Sequence, residues 1–157
     1  MNDLYYEDLH VGQRFTSRTQ TMTRERIVAY AEEFDPQPQH LSEELAARSQ
    51  FGQLIASGWH TASVSMRLQY EAAFSRVPNG AMGAQVDKLT WIRPVRPGDA
   101  LHVVVEVEQM RPSASKPDKG VVTFLTTTVN QDGAPVETML GTVLIPRRPA
   151  SAGPRGG

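Results

Sequence analysis

The sequence predicts an α+β fold in which helices come first and an antiparallel sheet follows. From about residue 23 to residue 76, apolar residues recur at helical spacing, and after several Pro and Gly residues the pattern becomes strand-like. Helices followed by a run of strands favour a sheet covered on one face by helices. Four strands are expected, separated by turn sequences rich in Pro, Gly and Asp, near residues 84–92, 100–110, 120–130 and 135–145.

The first elements are a short strand and a helix. Residues 12–21 favour the strand, and Thr23 is a typical N-cap residue for the helix that follows it. Pro36 and Pro38 must end this helix, because proline supplies no backbone N–H and disfavours helical geometry in the residue before it.

Two further helices are predicted before the sheet. Ser42 can cap a short one that extends through Arg48. The longest helical pattern begins at Ser57 or Gly58 and continues to about Arg76, where Pro and Gly residues end it. The sequence therefore predicts one long helix immediately before the four strands.

Length and composition indicate a single folded domain. The chain has 157 residues, a formal net charge of -1 and no cysteine, which excludes disulfides, thiolate nucleophiles and cysteine-rich metal sites. We expect a domain over residues 1–146 and a flexible tail over residues 147–157, where Pro, Gly and Arg leave little to bury.

Charge and hydropathy also narrow the partners. A net charge of -1 gives no electrostatic reason to expect nucleic acid or an acidic membrane surface as a partner. The first residues are acidic and lack the layout of a signal peptide, and no apolar run approaches the roughly 18 residues of a membrane helix. We therefore expect a cytoplasmic protein that does not enter a membrane.

One pair of side chains suggests acid–base chemistry. Asp35 and His40 lie in a segment that Pro36 and Pro38 stiffen, which narrows the range of distances between the two side chains. A carboxylate and an imidazole that share one water can orient it and move its proton. The spacing alone leaves open the alternative that Asp35 only ends one helix and His40 only begins the next segment.

The second candidate is the start of the long helix. Backbone N–H groups in the first turn of a helix lack intrahelical partners, and Gly58 would let a carbonyl oxygen approach closely. Gly58 is thus a candidate oxyanion donor, although an ordinary Ser57 N-cap followed by a packing glycine explains the same residues. Ser57 is a weaker candidate for a nucleophile, because no Gly-x-Ser-x-Gly turn surrounds it.

Four stretches together resemble one family. Residues 30–40 (Tyr-Ala-Glu-Glu-Phe-Asp-Pro-Gln-Pro-Gln-His) are similar to the hydratase motif of MaoC-like dehydratases, the (R)-specific enoyl-CoA hydratase family. Residues 8–15, 56–60 and 91–99 fit the same family in the same order. The resemblance implies a hotdog fold, in which an antiparallel sheet wraps around a long central helix, and a homodimer or a higher even-numbered oligomer.

The resemblance also implies roles for individual residues. The Asp and His of the family motif, its catalytic pair, correspond to Asp35 and His40. The glycine whose backbone N–H polarises the thioester carbonyl corresponds to Gly58. The implied reaction is the addition of water to an enoyl thioester of fatty acid metabolism, or its removal from a 3-hydroxyacyl thioester.

The substrate implied is an acyl-CoA, with an acyl carrier protein thioester as the alternative. Arg93 and Arg96 are candidates for binding the phosphates of coenzyme A, and the alternative is that they are solvated charges of a turn. His60 has two interpretations, a helix-surface or interface histidine and a residue at the site. We expect no cofactor. We also expect no metal, because no short ligand spacing links the histidines and Asp35. The expected substrate-binding residues are Gln37, Ser57, Trp59, His60, Arg93 and Arg96.

The chain departs from the family pattern at two of these positions. Gln37 stands where the family usually has Asn, and Ser57 replaces a frequent His before Gly58. Two alternatives to a hydratase stay open, and the departure at Gln37 supports the second of them. One is a thioesterase on the same fold, and the other is a module that binds acyl thioesters without turning them over.

Overall fold

The long helix precedes the four long strands, as the change from helical to strand-like spacing of the apolar residues predicts. The computed structural model describes residues 2–150, and it confirms the α+β class. Two 3-10 turns, Tyr6–Asp8 and Phe74–Arg76, accompany the main elements. In chain order these are β1 (Arg14–Thr16), β2 (Gln20–Thr21), α1 (Arg24–Phe34), α2 (Pro38–Leu41), α3 (Glu43–Ala47), α4 (Gly58–Ala72), β3 (Met82–Trp91), β4 (Ala100–Pro112), β5 (Lys119–Val129) and β6 (Pro135–Pro146).

The strands form one antiparallel sheet in the order β1-β4-β5-β6-β3, with β2 also paired to β4. The four predicted strands are β3 to β6, and each lies within two residues of its expected bounds. The order places β3 at an edge, although it comes before β4, β5 and β6 in the chain. Its last residue, Trp91, pairs with Glu137 of β6, and Glu137 pairs on its other side with Thr128 of β5.

Three local predictions were wrong in detail. The strand expected over residues 12–21 is divided into β1 and β2. An unpredicted helix, α2, begins at Pro38 itself, because proline in the first turn of a helix loses no intrahelical hydrogen bond. The long helix ends at Ala72, and a separate 3-10 turn extends to Arg76.

Helix α4 lies against the sheet, and the apolar core fills the space around its second half. Leu68 of α4 and Phe74 of the following turn belong to this core, and Phe74 packs edge-on against Phe124 of β5 at a centroid distance of 5.1 Å. Alternate residues of β4 supply its floor, because successive strand side chains point to opposite faces. These β4 residues are Val103, Val105 and Val107.

A second apolar cluster anchors the segment that carries the catalytic candidates. It joins Ile27 of α1 and Leu54 and Ala56 of the loop before α4 to Leu101 of β4 and Val136 of β6. The cluster therefore ties α1, and the α1–α2 turn that follows it, to the same end of the sheet as the start of α4.

The chain after β6 returns to the N-terminal turn. Arg147 donates to Glu7 at 3.0 Å, and Arg148 donates to Asp8 at 2.6 Å. The predicted tail over residues 147–157 extends past the described part of the chain, because residues 151–157 lie outside it. Within residues 2–150, no helix has the length and apolar character needed to cross a membrane.

Candidate active site

The turn between α1 and α2 brings Asp35 and His40 together. Asp35 ends α1, and its N–H donates to Ala31 O at 2.9 Å. The Gln37 N–H then donates to Asp35 O at 2.8 Å, so the chain folds back and α2 begins at once. His40 is thereby buried, with its Nε2 atom 3.4 Å from Asp35 Oδ2. The fixed φ of Pro38 favours this short connection.

The Asp35 carboxylate is held from both sides. Ser57 Oγ donates to Oδ2 at 2.6 Å, and Gln37 Nε2 donates to Oδ1 at 2.8 Å. Partial burial acts to raise the pKa of Asp35, but the two hydrogen bonds and the neighbouring His40 outweigh it and lower the pKa below its ordinary value. Asp35 is therefore a carboxylate near neutral pH, with its orientation set by two donors.

The surroundings of His40 determine which ring nitrogen carries a hydrogen. His40 Nδ1 lies 2.7 Å from Ile55 O, and a carbonyl oxygen only accepts hydrogen bonds, so Nδ1 must be protonated. In the neutral ring, Nε2 then presents its lone pair toward Asp35. Two acceptors that face one another suit a bridging water, which can donate one hydrogen to each.

The start of α4 lies beside this pair. Ser57 is the N-cap, and its Oγ accepts from Trp59 N at 3.3 Å. The Gly58 N–H donates to no acceptor in residues 2–150, as is usual for the first turn of a helix. One hydroxyl, that of Ser57, thus caps α4 and contacts Asp35, which fixes the helix start relative to the carboxylate.

Trp91 explains why residue 58 is a glycine. A Cβ added at Gly58 would lie 2.5 Å from Trp91 Cε2, too close for any side chain. The Trp91 indole Nε1 donates to Gly58 O at 2.9 Å, and its ring meets Trp59 edge-on with 5.2 Å between centroids. Trp91 therefore holds the first turn of α4 from the sheet side.

Asp35, His40 and Gly58 line one cavity of about 460 Å³. Most of its remaining wall is apolar or aromatic, as is common in small-molecule sites. Among the other predicted residues, three also line it, namely Gln37, Trp59 and Arg93.

The other three predicted residues do not line this cavity. Ser57 is fully buried behind Asp35. The guanidinium of Arg96 faces the side chain of Gln53. His60 is 7% exposed and stacks on Tyr30 with 4.8 Å between ring centroids, so it is an interior residue rather than a helix-surface one.

Burial and the charge of Arg26 lower the pKa of His60, so its ring is neutral near pH 7.

The sequence did not indicate Trp91 as a contact of Gly58, although Trp91 begins one of the stretches that resemble the family. It also missed Glu137 as a buried acid beside Trp91. Only strand register brings these two residues together, and register cannot be derived from spacing along the chain.

Within residues 2–150, no group of three or more His, Asp or Glu side chains is arranged to hold a metal ion. The expectation of a metal-free site stays a prediction.

Comparison with known proteins identifies the family. The family model described as a MaoC like domain matches residues 8–130, which include Asp35, His40, Gly58 and Trp91. This chain belongs to the MaoC-like domain family. The resemblance inferred from the motifs is therefore confirmed, and the chain is a member of a family of hydratases and dehydratases.

Three individual proteins are similar to this chain in sequence or structure. The crystal structure of a MaoC-like dehydratase from Rhodospirillum rubrum is similar, with 46% identity, a TM-score of 0.88, and coverage of 94% of this chain and 99% of that chain. The uncharacterized protein YdeM of Bacillus subtilis is 34% identical over 80% of this chain and 86% of its own length. A 3-hydroxybutyryl-CoA dehydratase of Methylorubrum extorquens is 36% identical over 69% of this chain and 67% of its own length.

The fold expectation is confirmed in the same way. A conserved hypothetical protein of Mycobacterium tuberculosis described as a double hotdog fold superimposes with a TM-score of 0.75, at 21% identity, over 96% of this chain and 46% of that chain. At this identity the likeness concerns the fold alone. The MaoC-like chain is therefore one hotdog unit, an antiparallel sheet with α4 as its central helix.

Proposed function

We propose that this MaoC-like protein is a hydro-lyase that adds water to an enoyl thioester, or removes it from a 3-hydroxyacyl thioester. The observation that carries the proposal is that one cavity is lined by Asp35, His40 and Gly58, and that the Gly58 N–H has no acceptor within residues 2–150. A carboxylate and an imidazole acceptor suit a nucleophilic water, and a free helix N-terminal N–H suits a developing oxyanion.

The chemistry follows from the protonation states. Water donates one hydrogen to Asp35 Oδ2 and one to His40 Nε2, and its oxygen attacks the β-carbon of the enoyl group. The π electrons of the double bond move toward the thioester oxygen, where the Gly58 N–H stabilises the negative charge. His40 takes the proton from the attacking water, and its imidazolium returns a proton to the α-carbon.

Asp35 is ionised throughout this sequence, and its charge stabilises the imidazolium. The new C–O and C–H bonds replace the π bond, so no cofactor is consumed. Dehydration follows the same steps in reverse.

We further propose that the acyl carrier is coenzyme A. The support is the similarity to a protein named 3-hydroxybutyryl-CoA dehydratase and the position of Arg93 at the cavity wall. A guanidinium there suits a phosphate group, although its Nη1 also donates to Pro135 O at 2.6 Å. Turnover of an acyl-CoA in preference to the same acyl group on acyl carrier protein is the expected result.

A homodimer formed through the β3 edge is part of the same proposal. Large apolar side chains are exposed along β3 and on the neighbouring face of α4, and an open edge strand usually requires a cover. A second copy that pairs along β3 would bury both surfaces, and light scattering would measure the assembly. The exposed apolar residues are Met82, Val86 and Trp91 of β3 and Trp59, Met66 and Tyr70 of α4.

The test of the reaction is Asp35→Asn. We expect hydration of crotonyl-CoA, followed by loss of the enoyl absorbance, to fall by at least about a hundredfold, because the amide cannot accept as a carboxylate does. Glu33→Gln, an exposed neighbour that loses the same charge, is the matched control and should keep full activity. Circular dichroism of both variants checks that they fold.

Other results of these assays would contradict the proposed reaction or identify one of the alternatives. Full hydratase activity in Asp35→Asn would contradict the assignment. Release of free thiol without loss of the enoyl absorbance would identify a thioesterase, and thioester binding without turnover would identify a binding module.

A further inference from the structure

The buried side of α4 is largely polar, which is unusual for the central helix of a domain. Only Leu68 among its buried residues is apolar. A buried polar group without a hydrogen-bond partner lowers the stability of the folded state, so its presence needs a physical explanation. Within residues 2–150, the buried polar side chains of α4 and of the facing strands are His60, Thr61, Ser65 and Gln69 on α4, Thr126 and Thr128 on β5, and Glu137 on β6.

Among these residues, the acid Glu137 is the one whose burial most needs an explanation. Its side chain is 0% exposed, and neither carboxyl oxygen has a well-formed hydrogen bond to any residue in the described range. The Ser65 hydroxyl and the Trp91 indole lie close enough to act on it, but both are already engaged. Ser65 Oγ is 2.6 Å from Thr128 Oγ1, and Trp91 Nε1 donates to Gly58 O.

Within residues 2–150, no Lys, Arg or His forms an ion pair with Glu137, and Arg93, which follows β3, donates instead to Pro135 O at 2.6 Å. The titratable residue on the buried side of α4 is His60, which is neutral near pH 7. On β3, Asp87 and Lys88 are exposed, and on β5, Lys119 lies at the far end of the strand. Burial raises the pKa of Glu137 to about 7, and the nearby Ser65 and Trp91 offset this only in part.

We propose that Glu137 is a positioning residue for the hydration reaction and acts through Trp91 on the first turn of α4. In its neutral form it leaves the Trp91 indole N–H bonded to Gly58 O. In its ionised form it is a stronger acceptor than a backbone carbonyl, and it draws the indole N–H away from Gly58. The inference rests on the proposed function, because the Gly58 N–H is there the oxyanion donor.

The kinetic test compares Glu137→Gln with the wild type across pH. In the wild type, kcat should fall roughly tenfold or more as pH rises through about 7, since misplacing an oxyanion donor weakens transition-state stabilisation. KM should change little, because this interaction forms mainly in the transition state. Glu137→Gln cannot ionise and should lose this limb of the profile.

Two further variants sharpen the comparison. Glu137→Met removes every hydrogen-bonding group at similar length, and it should also lose the alkaline limb. Glu108→Gln changes an exposed carboxyl of β4 and should keep the wild-type profile. A loss of activity that is equal at all pH values in the Glu137 variants would indicate a purely structural role and overturn the proposal.

A second readout needs no substrate. The chain has two tryptophans, so Trp59→Phe leaves Trp91 as the only one. Its fluorescence should change with a midpoint near pH 7, and adding Glu137→Gln should abolish the transition. If the protein hydrated no enoyl thioester, the proposed function would fail while this measurement still decided the contact. A fluorescence that is the same at all pH values would refute the contact, whatever the activity.

Discussion

The buried Glu137 carboxyl predicts a specific dependence of stability on pH. The side chain is 0% exposed, and burial raises its pKa in the folded state from 4.5 to about 7. The unfolded state binds the proton less tightly, so stability is lost as pH rises between these two values and stays low above them. A pKa difference of this size corresponds to about 3 kcal/mol of unfolding free energy.

Glu137→Gln isolates this contribution. The amide is neutral at every pH, so the other titrating groups cancel in the difference between variant and wild type. From about pH 4.5 to about pH 8, the unfolding free energy of Glu137→Gln should gain about 3 kcal/mol relative to the wild type. Any cost of burying the amide itself adds a constant offset and does not change this slope.

Urea denaturation at a series of pH values measures the difference. Protein concentration must be held constant, because stability in an oligomer depends on it. Glu108→Gln, which changes an exposed carboxyl, is the matched control and should follow the wild type. Parallel curves for Glu137→Gln and the wild type would show that Glu137 ionises freely in the folded protein, and they would refute the reasoning.

Two further predictions concern the start of α4. Gly58→Ala would place a Cβ 2.5 Å from Trp91 Cε2, so the indole must move. The kcat for enoyl-CoA hydration should then fall at least about a hundredfold. A variant with the kcat of the wild type would contradict the role of this contact. Ser57→Ala removes the 2.6 Å hydrogen bond to Asp35 Oδ2 and should raise the pKa of Asp35, followed by NMR titration of its carboxyl carbon, by about one unit or more. An Asp35 pKa equal to that of the wild type would show that this bond does not stabilise the carboxylate.

Local features of the chain account for much of the candidate site. Pro36 and Pro38 predicted a short, stiff turn between Asp35 and His40, and the two side chains do meet there. Gly58 was predicted at a helix start from the small residues around it, and it is the first residue of α4. These predictions succeed because turns and helix caps depend on residues that are close in the chain.

Contacts between residues that are far apart in the chain could not be predicted from local sequence features. Ser57 was predicted as a cap and a substrate contact, yet its hydroxyl also donates to Asp35, 22 residues away in the chain. His60 was predicted either as a surface or interface histidine or as a substrate contact, but it is buried and stacks on Tyr30 of α1. Nothing in the spacing along the chain indicated either contact, because each depends on how α1 docks beside α4.

The sequence by itself therefore determined the α+β order, the family and the residues that carry the proposed chemistry. Only the tertiary structure decided what surrounds them. The pairing of β3 with β6 places Trp91 beside Glu137, and the docking of α4 brings Gly58 onto Trp91. Local propensity sets where elements begin and end, whereas strand register and helix docking arise from packing across the whole domain. That packing buries the Glu137 carboxyl.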